Sequence, residues 1–355
     1  MNIAAIDVGG ANLKAAHTSG ATRFTPFEVW RQPERLAEAL EAVLKELPPY
    51  DLLAVTMTAE LCDCFQTKRE GVLRVLEAAR EASGRAAAEK PLKVFRVDGR
   101  LVDLDAARAD PLASASANWM ALALFAQSLL PRGRGVVADT GSTTTDIVPV
   151  REGVAVPGGK TDAERLLIGE LVYTGVRRTP VLAVTDHLPY HERSCPVAAE
   201  LFATMLDAYL LTGDIAVAAP ATGFGALTAD GRGLSLDHAR DRMARMVCAD
   251  RETFDQDDAL AAARFLVAAQ EKRVRQALLQ VAERLGGPIE GAVVSGEGEF
   301  VLRRAIHRIW PRCEIAAFSE RIGPEASRAA CAHALSRIAP DPAKYHPKGA
   351  DGGGR

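Results

Sequence analysis

A polar turn between two apolar segments, at residues 136–148, constrains the fold of this chain more than any other stretch. The segment reads VVADTGSTTTDIV, with β-branched residues on both sides of a Gly, Ser and Thr turn. This pattern predicts a β-hairpin whose tip is dense in backbone N–H groups and hydroxyls. Carboxylates stand on both sides of the tip, at Asp139 and Asp146. The segment is therefore either an ordinary Thr-rich hairpin or a phosphate-binding turn.

Two further segments repeat the pattern of an apolar strand that ends in a glycine-containing turn. The first, IAAIDVGGANLKAA, lies at residues 3–16 and again places an aspartate, Asp7, at the end of the strand. The second, GAVVSGEGEF, lies at residues 291–300. One such motif is weak evidence, but three in this order are difficult to obtain by chance.

The ordered trio resembles the phosphate 1, phosphate 2 and adenosine motifs of the superfamily that contains actin, sugar kinases and heat-shock ATPases. The resemblance implies an α/β fold of two ribonuclease-H-like lobes around a central cleft. We expect residues 1–115 to form the first lobe and 116–323 the second, with a helix at 324–338 that returns to the first lobe. Residues 340–355 are expected to form a disordered tail.

A cleft of this kind would hold a phosphorylated small molecule between the two hairpin tips. Asp7 and Asp139 would hold Mg²⁺, and Lys14 would stabilise the charge on a departing phosphate. The residues expected to donate to phosphate oxygens are Gly9, Gly10, Asn12, Gly141, Ser142, Thr143 and Thr144. If a nucleotide is bound, the residues of the third motif would border its adenine or ribose; they are Gly296, Glu297 and Gly298.

The elements around the motifs supply further candidates. Glu60 follows the predicted strand 52–57, where some kinases of the superfamily carry a general base; a surface glutamate at a strand end is the plain alternative. Arg177 and Arg178 form either a diphosphate contact or an exposed basic turn. Apolar spacing predicts helices over residues 110–130 and 197–211.

Composition excludes several classes of partner and compartment. A formal net charge of −3 over 355 residues gives no electrostatic reason to expect nucleic acid or an anionic membrane as a partner. No apolar run approaches the length of a membrane helix, and the N-terminus lacks a signal segment, so we expect a cytoplasmic protein. Six cysteines in a chain this long do not make a disulfide framework.

Three further segments resemble the hydantoinase A/oxoprolinase family, and within it the branch linked to tetrahydromethanopterin-dependent one-carbon transfer. They are MTAELCDCFQTK at 57–68, SANW at 116–119 and GELVYTGVRRTP at 169–180. Archaeal members of this branch are methanofuran-biosynthesis enzymes. The resemblance implies a transferase that joins a furan-methyl diphosphate to a tyramine- or tyrosine-type phenol, forms an ether and releases diphosphate. Glu60 or Asp146 would then deprotonate the phenol.

Two other functions use the same cleft. The first is an ATP-dependent small-molecule kinase or amide-activating ATPase, which is the commoner use of the fold and would bind ATP with Mg²⁺. The second is a nucleotide sensor or assembly partner without turnover, against which the intact hairpin acids argue. The sequence leaves the oligomeric state open.

Overall fold

The computed structural model describes residues 1–86, 90–216 and 228–345 of the chain. The strands in these ranges are β1 (Ile3–Val8), β2 (Asn12–His17), β3 (Thr22–Pro26), β4 (Leu52–Met57), β5 (Leu92–Phe95), β6 (Leu101–Asp103), β7 (Arg134–Thr140), β8 (Thr145–Arg151), β9 (Val154–Ala155), β10 (Leu171–Val172), β11 (His187–Tyr190), β12 (Arg193–Pro196), β13 (Gly291–Ser295) and β14 (Glu314–Ala317). The helices are α1 (Leu36–Lys45), α2 (Lys68–Ala86), α3 (Leu104–Ala109), α4 (Asn118–Ala126), α5 (Asp162–Leu167), α6 (Val181–Val184), α7 (Met205–Thr212), α8 (Leu236–Met246), α9 (Gln256–Arg284), α10 (Glu299–Ile309), α11 (Phe318–Ile322), α12 (Pro324–Arg328) and α13 (Ala330–Ile338).

The first β-sheet has the strand order β3-β2-β1-β4-β5-β6. β2 runs antiparallel to β1, whereas β4 and β5 continue the sheet in parallel on the other side. β1 is buried along its whole length, as its sequence, apolar except for Asp7, predicts for a central strand with both faces covered. Helices α1 and α2 cover one of these faces.

The second β-sheet repeats this arrangement with the order β10-β8-β7-β13-β14. β8 runs antiparallel to β7, and β13 and β14 follow in parallel. Helices α9 and α10 pack on its outer face. The predicted fold of two ribonuclease-H-like sheets is therefore confirmed. The boundaries 1–115 and 116–323 remain predictions.

Helices α4 and α13 form a layer between the two sheets. One apolar cluster joins residues of both helices to Ile3 and Ala5 of β1 and to Val137 of β7. α13 also packs against β2 and β4, so the C-terminal part of the segment 324–338 lies on the first sheet. This segment is not one helix, because Ala329 leaves helical geometry and separates α12 from α13.

Two of the predicted helices differ from the structure. The expected helix over 110–130 is interrupted, because Ser116 adopts a left-handed backbone conformation with φ of 47° between a 3₁₀ turn at Pro111–Ser114 and α4. The expected helix over 197–211 begins only at Met205. Thr204 precedes it in an extended conformation and its N–H donates to Asp207 Oδ2 at 3.0 Å, and this polar start signal overrides the apolar spacing before it.

The C-terminal segment is described only as far as residue 345. Residues Pro342–Lys344 form a 3₁₀ turn, and the Tyr345 carbonyl accepts a hydrogen bond from Gln127 Nε2 at 2.9 Å. The start of the predicted disordered tail is therefore ordered, while residues 346–355 lie outside the described residues. Among the residues that the structure describes, no helix has the length and apolar content needed to cross a membrane.

Candidate active site between two hairpin tips

The turns that join β1 to β2 and β7 to β8 close in the same way. The Gly9 N–H donates to the Asn12 carbonyl at 3.0 Å, and the Gly141 N–H donates to the Thr144 carbonyl at 2.9 Å. Each turn begins two residues after an aspartate of its first strand. The two predicted phosphate-binding hairpins therefore have matching backbone geometry.

Asp7 and Asp139 lie on the strand faces that turn toward the layer between the sheets. Because side chains alternate along a strand, Asp7 shares a face with Ile3 and Ala5, and Asp139 shares one with Val137. These apolar residues belong to the single cluster between the sheets. The two carboxylates at the strand ends consequently reach the same cleft.

This cleft is a cavity of about 290 Å³ with both hairpin tips in its wall. Asn12 Nδ2 of the first tip lies 3.4 Å from Ser142 Oγ of the second. The predicted site residues that line the cavity are Asp7, Gly9, Gly10, Asn12, Lys14, Asp139, Gly141, Ser142, Thr143, Thr144 and Asp146. Their roles in metal and phosphate binding remain predictions.

The first tip combines a buried carboxylate with a lysine. Asp7 is 1% exposed, and its Oδ2 lies 4.0 Å from Lys14 Nζ and 3.4 Å from Asn118 Nδ2. Burial raises the pKa of Asp7 above its usual value, and Lys14 offsets only part of this effect. For Lys14, burial acts to lower the pKa, but nearby carboxylates, Asp7 foremost, raise it. Lys14 is therefore a charged group at neutral pH.

The second tip carries two carboxylates and no lysine of its own. Asp139 Oδ1 accepts a hydrogen bond from the Ser295 hydroxyl of the adjacent strand β13. Asp146 Oδ1 accepts one from Arg165 Nη1 at 2.8 Å. Burial raises the pKa of Asp139 against the influence of Lys14, and raises that of Asp146 against the influence of Arg165. The cavity therefore favours an additional cation.

The donor set suits Mg²⁺. Asp7 Oδ1 is buried and has no hydrogen-bond partner within the described part of the chain. Hard divalent cations prefer oxygen ligands, and Mg²⁺ usually keeps several waters and binds through one or two carboxylates plus substrate phosphates. No group of three or more His, Cys, Asp or Glu residues arranged to hold a metal occurs in residues 1–86, 90–216 and 228–345.

The third motif lies beside the cavity but does not contribute to its wall. A Cβ at Gly296 would lie 2.4 Å from the Thr140 carbonyl oxygen, and one at Gly298 would lie 2.4 Å from Thr140 Cγ2. Packing against the end of β7 therefore explains both glycines. Glu297 forms an ion pair with Arg177, and Arg177 Nε donates to Glu297 Oε2 at 2.6 Å. The contact of these residues with adenine or ribose remains a prediction.

Glu60 lies behind the cavity wall. Its side chain is 1% exposed, burial raises its pKa, and its Oε1 accepts a hydrogen bond from Ser116 Oγ at 2.7 Å. Ser116 Oγ also lies 2.8 Å from Asp162 Oδ2, and Ser116 and Asp162 both line the cavity. Ser116 therefore lies between the Glu60 carboxylate and the cavity, whereas Asp146 lines the cavity, and the role of Glu60 as general base stays a prediction.

Sequence reasoning missed Arg165 and Asp162. The Arg165 side chain is 1% exposed and stacks on Trp119, with 4.0 Å between the guanidinium carbon and the ring centroid. Arg165 lies in α5 and orients Asp146 through the hydrogen bond from its guanidinium. Thr161 caps this helix in a reciprocal box with Glu164. This pattern in the sequence signals a helix start, but nothing local indicates that the helix borders the cleft.

Two known proteins are similar in sequence to this chain. A (4-{4-[2-(gamma-L-glutamylamino)ethyl]phenoxymethyl}furan-2-yl)methanamine synthase of Methanocaldococcus jannaschii is 29% identical over 339 residues, which cover 95% of this chain and 97% of that protein. The protein of the same name from Methanococcus vannielii is 28% identical over 206 residues, which cover 57% of this chain and 88% of that protein. The first of these matches extends over nearly the whole chain.

The fold also occurs among solved structures. Nucleotide-free acetone carboxylase superposes with a TM-score of 0.52 at 8% identity, and the match covers 94% of this chain and 70% of that one. At this identity the likeness concerns the fold alone. The sequence model of the family described as Hydantoinase/oxoprolinase matches residues 51–339. Since the match spans most of the chain, the protein belongs to the hydantoinase/oxoprolinase family.

Proposed function

We propose that this protein is a transferase of methanofuran-type one-carbon carrier biosynthesis. It would condense a furan-methyl diphosphate with a tyramine- or tyrosine-type phenol, form an ether and release diphosphate. The observation that carries the proposal is the cavity between the hairpin tips, with Asp7, Lys14 and Asp139 in its wall. The names of the two synthases support it, because both describe a phenoxymethyl group on a furan.

Departure of the diphosphate is the step that the hairpins suit. Their backbone N–H groups and the hydroxyls of residues 142–144 are donors for phosphate oxygens. Asp7 and Asp139 would hold Mg²⁺, which when bound neutralises charge on the diphosphate. Lys14 supplies a second positive charge beside Asp7. The bond between the furanylmethyl carbon and the diphosphate oxygen breaks, and its electron pair leaves with the diphosphate.

Asp146 is the base that the geometry favours for the phenol. It lines the cavity, whereas Glu60 does not. A carboxylate with a raised pKa is a better proton acceptor than an ordinary one, and the ion pair with Arg165 keeps Asp146 oriented. The phenolic oxygen bonds to the furanylmethyl carbon, and its proton passes to Asp146. Atoms and charge then balance as ether plus diphosphate.

The third motif bears on the choice between a diphosphate and a nucleotide. Glu297 is its carboxylate, and this group is already paired with Arg177. The motif's two glycines are accounted for by contacts with Thr140. These contacts support a ligand that needs no adenosine pocket.

The test measures three products in one reaction series. Purified protein, Mg²⁺ and an aminomethyl-furan-methyl diphosphate are mixed with tyramine, tyrosine or γ-glutamyltyramine. Diphosphate release is followed by a coupled assay and the ether by mass spectrometry, while ATP hydrolysis is measured in parallel. We expect ether and diphosphate in equal amounts, dependent on Mg²⁺ and independent of ATP.

Asp7→Asn is the control for contaminating enzymes, since it removes a predicted metal ligand with little change in shape. ATP turnover without ether formation by the unaltered protein would overturn the proposal in favour of a kinase or amide-activating ATPase.

A further inference from the structure

Two adjacent arginines, Arg177 and Arg178, lie next to the second hairpin tip, and their surroundings differ. Arg177 has a side chain that is 9% exposed, and it forms the ion pair with Glu297. Arg178 lines the cavity, and its guanidinium carbon lies 4.4 Å from the centroid of the Trp30 ring. Within the described ranges, no carboxylate forms an ion pair with Arg178. Its donors are therefore available to a ligand.

The backbone of Arg178 is fixed to the second hairpin tip. Its N–H donates to the Ser142 carbonyl at 2.9 Å, and the Val176 N–H donates to the Gly141 carbonyl at 3.0 Å. Gly175 permits this approach, because a Cβ there would lie 2.5 Å from the Thr143 nitrogen. Arg178 therefore starts from the loop that carries the predicted phosphate donors.

Trp30 is attached to the first hairpin tip in a similar manner. The N–H of the preceding residue, Val29, donates to the Gly10 carbonyl at 2.9 Å. The stack of Trp30 on Arg178 thus spans the cleft from one tip to the other. A guanidinium stacked by its face on an indole keeps its edge N–H donors free, and these donors match the oxygens of a diphosphate in a bidentate geometry.

We propose that Arg178 binds the diphosphate of the substrate from the second lobe, and that Trp30 is the positioning residue that holds its guanidinium plane. This inference rests on the proposed function and assigns the part of the site that grips the leaving group. A stack that bridges the two tips also makes diphosphate affinity depend on both lobes.

The test is titration calorimetry with inorganic pyrophosphate and Mg²⁺ on the full chain. Arg178→Ala is expected to weaken pyrophosphate binding by about 10- to 100-fold, the usual range for charge-assisted hydrogen bonds. Arg178→Lys should recover only part of the affinity, because lysine keeps the charge but lacks the planar fork. Trp30→Leu should weaken binding by about 3- to 10-fold, and Trp30→Tyr should restore most of it, since tyrosine also offers a ring face.

Arg328→Ala is the matched control, because it removes another arginine–aromatic stack, 4.5 Å above the Phe24 ring, that does not line the cavity. It should leave pyrophosphate affinity unchanged. Wild-type affinity in Arg178→Ala would overturn the role of Arg178 and leave the transferase proposal standing. If Trp30→Leu and Trp30→Tyr bind equally, the positioning role of Trp30 is wrong. Absence of pyrophosphate binding by the unaltered protein would overturn this inference together with the proposed function, whereas binding without ether formation would overturn the function alone.

Discussion

The two hairpins have the same backbone and different chemistry. In the first, Asp7 on β1 is paired across the strands with Lys14; at the same place in the second, Asp139 on β7 is paired with Asp146. One position thus carries a cation in one lobe and an anion in the other. In the proposed reaction, both lobes would bind phosphate through their turns, while the first would assist the leaving group and the second would accept a proton.

The strands on the other side of the two aspartates differ as well. Thr56 of β4 lies beside Asp7, and its hydroxyl has no hydrogen-bond partner within the described residues. Ser295 of β13 lies beside Asp139 and donates to its carboxylate. Each aspartate has one oxygen in a hydrogen bond, but Asn118 Nδ2 reaches Asp7 Oδ2 only at 3.4 Å, whereas the Ser295 hydroxyl holds Asp139 Oδ1 more closely. This asymmetry makes Asp7 the stronger candidate ligand.

Replacing Asp7 or Asp139 with asparagine is expected to have the largest effect on activity. Asp7→Asn is expected to lower kcat by about 10³-fold, because several kcal/mol of charge stabilisation depend on the metal. Asp139→Asn should cost less, about 10²-fold, since the Ser295 hydroxyl holds its carboxylate more closely than Asn118 holds that of Asp7. Ether formation at saturating Mg²⁺ measures both. Equal kcat values in the two variants would contradict the asymmetry.

The same two variants have the opposite effect on stability. Because burial raises the pKa of Asp7 and Asp139, their contribution to stability is complete below the ordinary carboxyl pKa of about 4. It is lost as the pH rises through the raised value, and above that pH both carboxylates destabilise the fold. Above that pH, and without Mg²⁺, each asparagine variant should therefore unfold at a higher temperature than the unaltered protein. A lower melting temperature would indicate a structural role instead.

Replacing Lys14 or Asp146, the residues paired across the strands with the two aspartates, is expected to have the next largest effect on activity. Lys14→Met and Asp146→Asn should each lower kcat by about 10²-fold, by losing leaving-group stabilisation and the general base respectively. Their pH profiles separate the roles. The raised pKa of Asp146 should appear as an acid limb in kcat/KM above the ordinary carboxyl range, with activity rising as the base deprotonates.

Asp146→Asn should abolish this acid limb, whereas Lys14→Met should retain it. Glu60→Gln serves as the control, because Ser116 separates it from the cavity and its removal should leave the limb in place. A limb that disappears in Glu60→Gln and persists in Asp146→Asn would restore Glu60 as the base.

The two hairpins were predictable from the sequence because each motif is local. An apolar strand, an aspartate and a glycine turn are contiguous in the chain, and their order indicated the paired sheets. Ser116, Arg165 and Arg178 were harder to assign, because their positions depend on contacts between distant segments. The left-handed conformation of Ser116 and the stack of Arg178 on Trp30 leave no periodic pattern in the sequence. For Glu60, the strand end was predicted, but its burial depends on packing.

The smallest expected effects on stability and activity come from alanine substitutions at Gly10 and Gly175, which pack in and beside the two hairpin tips. A Cβ at Gly10 in the first tip would meet Cys62 Sγ at 2.9 Å, an atom of a side chain that rotates; a Cβ at Gly175 would meet the backbone of the second tip at 2.5 Å. Gly175→Ala should therefore destabilise the protein by about 1–3 kcal/mol and lower kcat/KM about tenfold, because the tip itself must shift. Gly10→Ala should cost less in stability.

Gly84→Ala in α2, where a Cβ would meet nothing within 4 Å, controls for the loss of glycine and should stabilise the helix by about 1 kcal/mol. Thermal unfolding and kcat/KM measure these effects, and equal losses at Gly10 and Gly175 would show that both tips are held with the same rigidity.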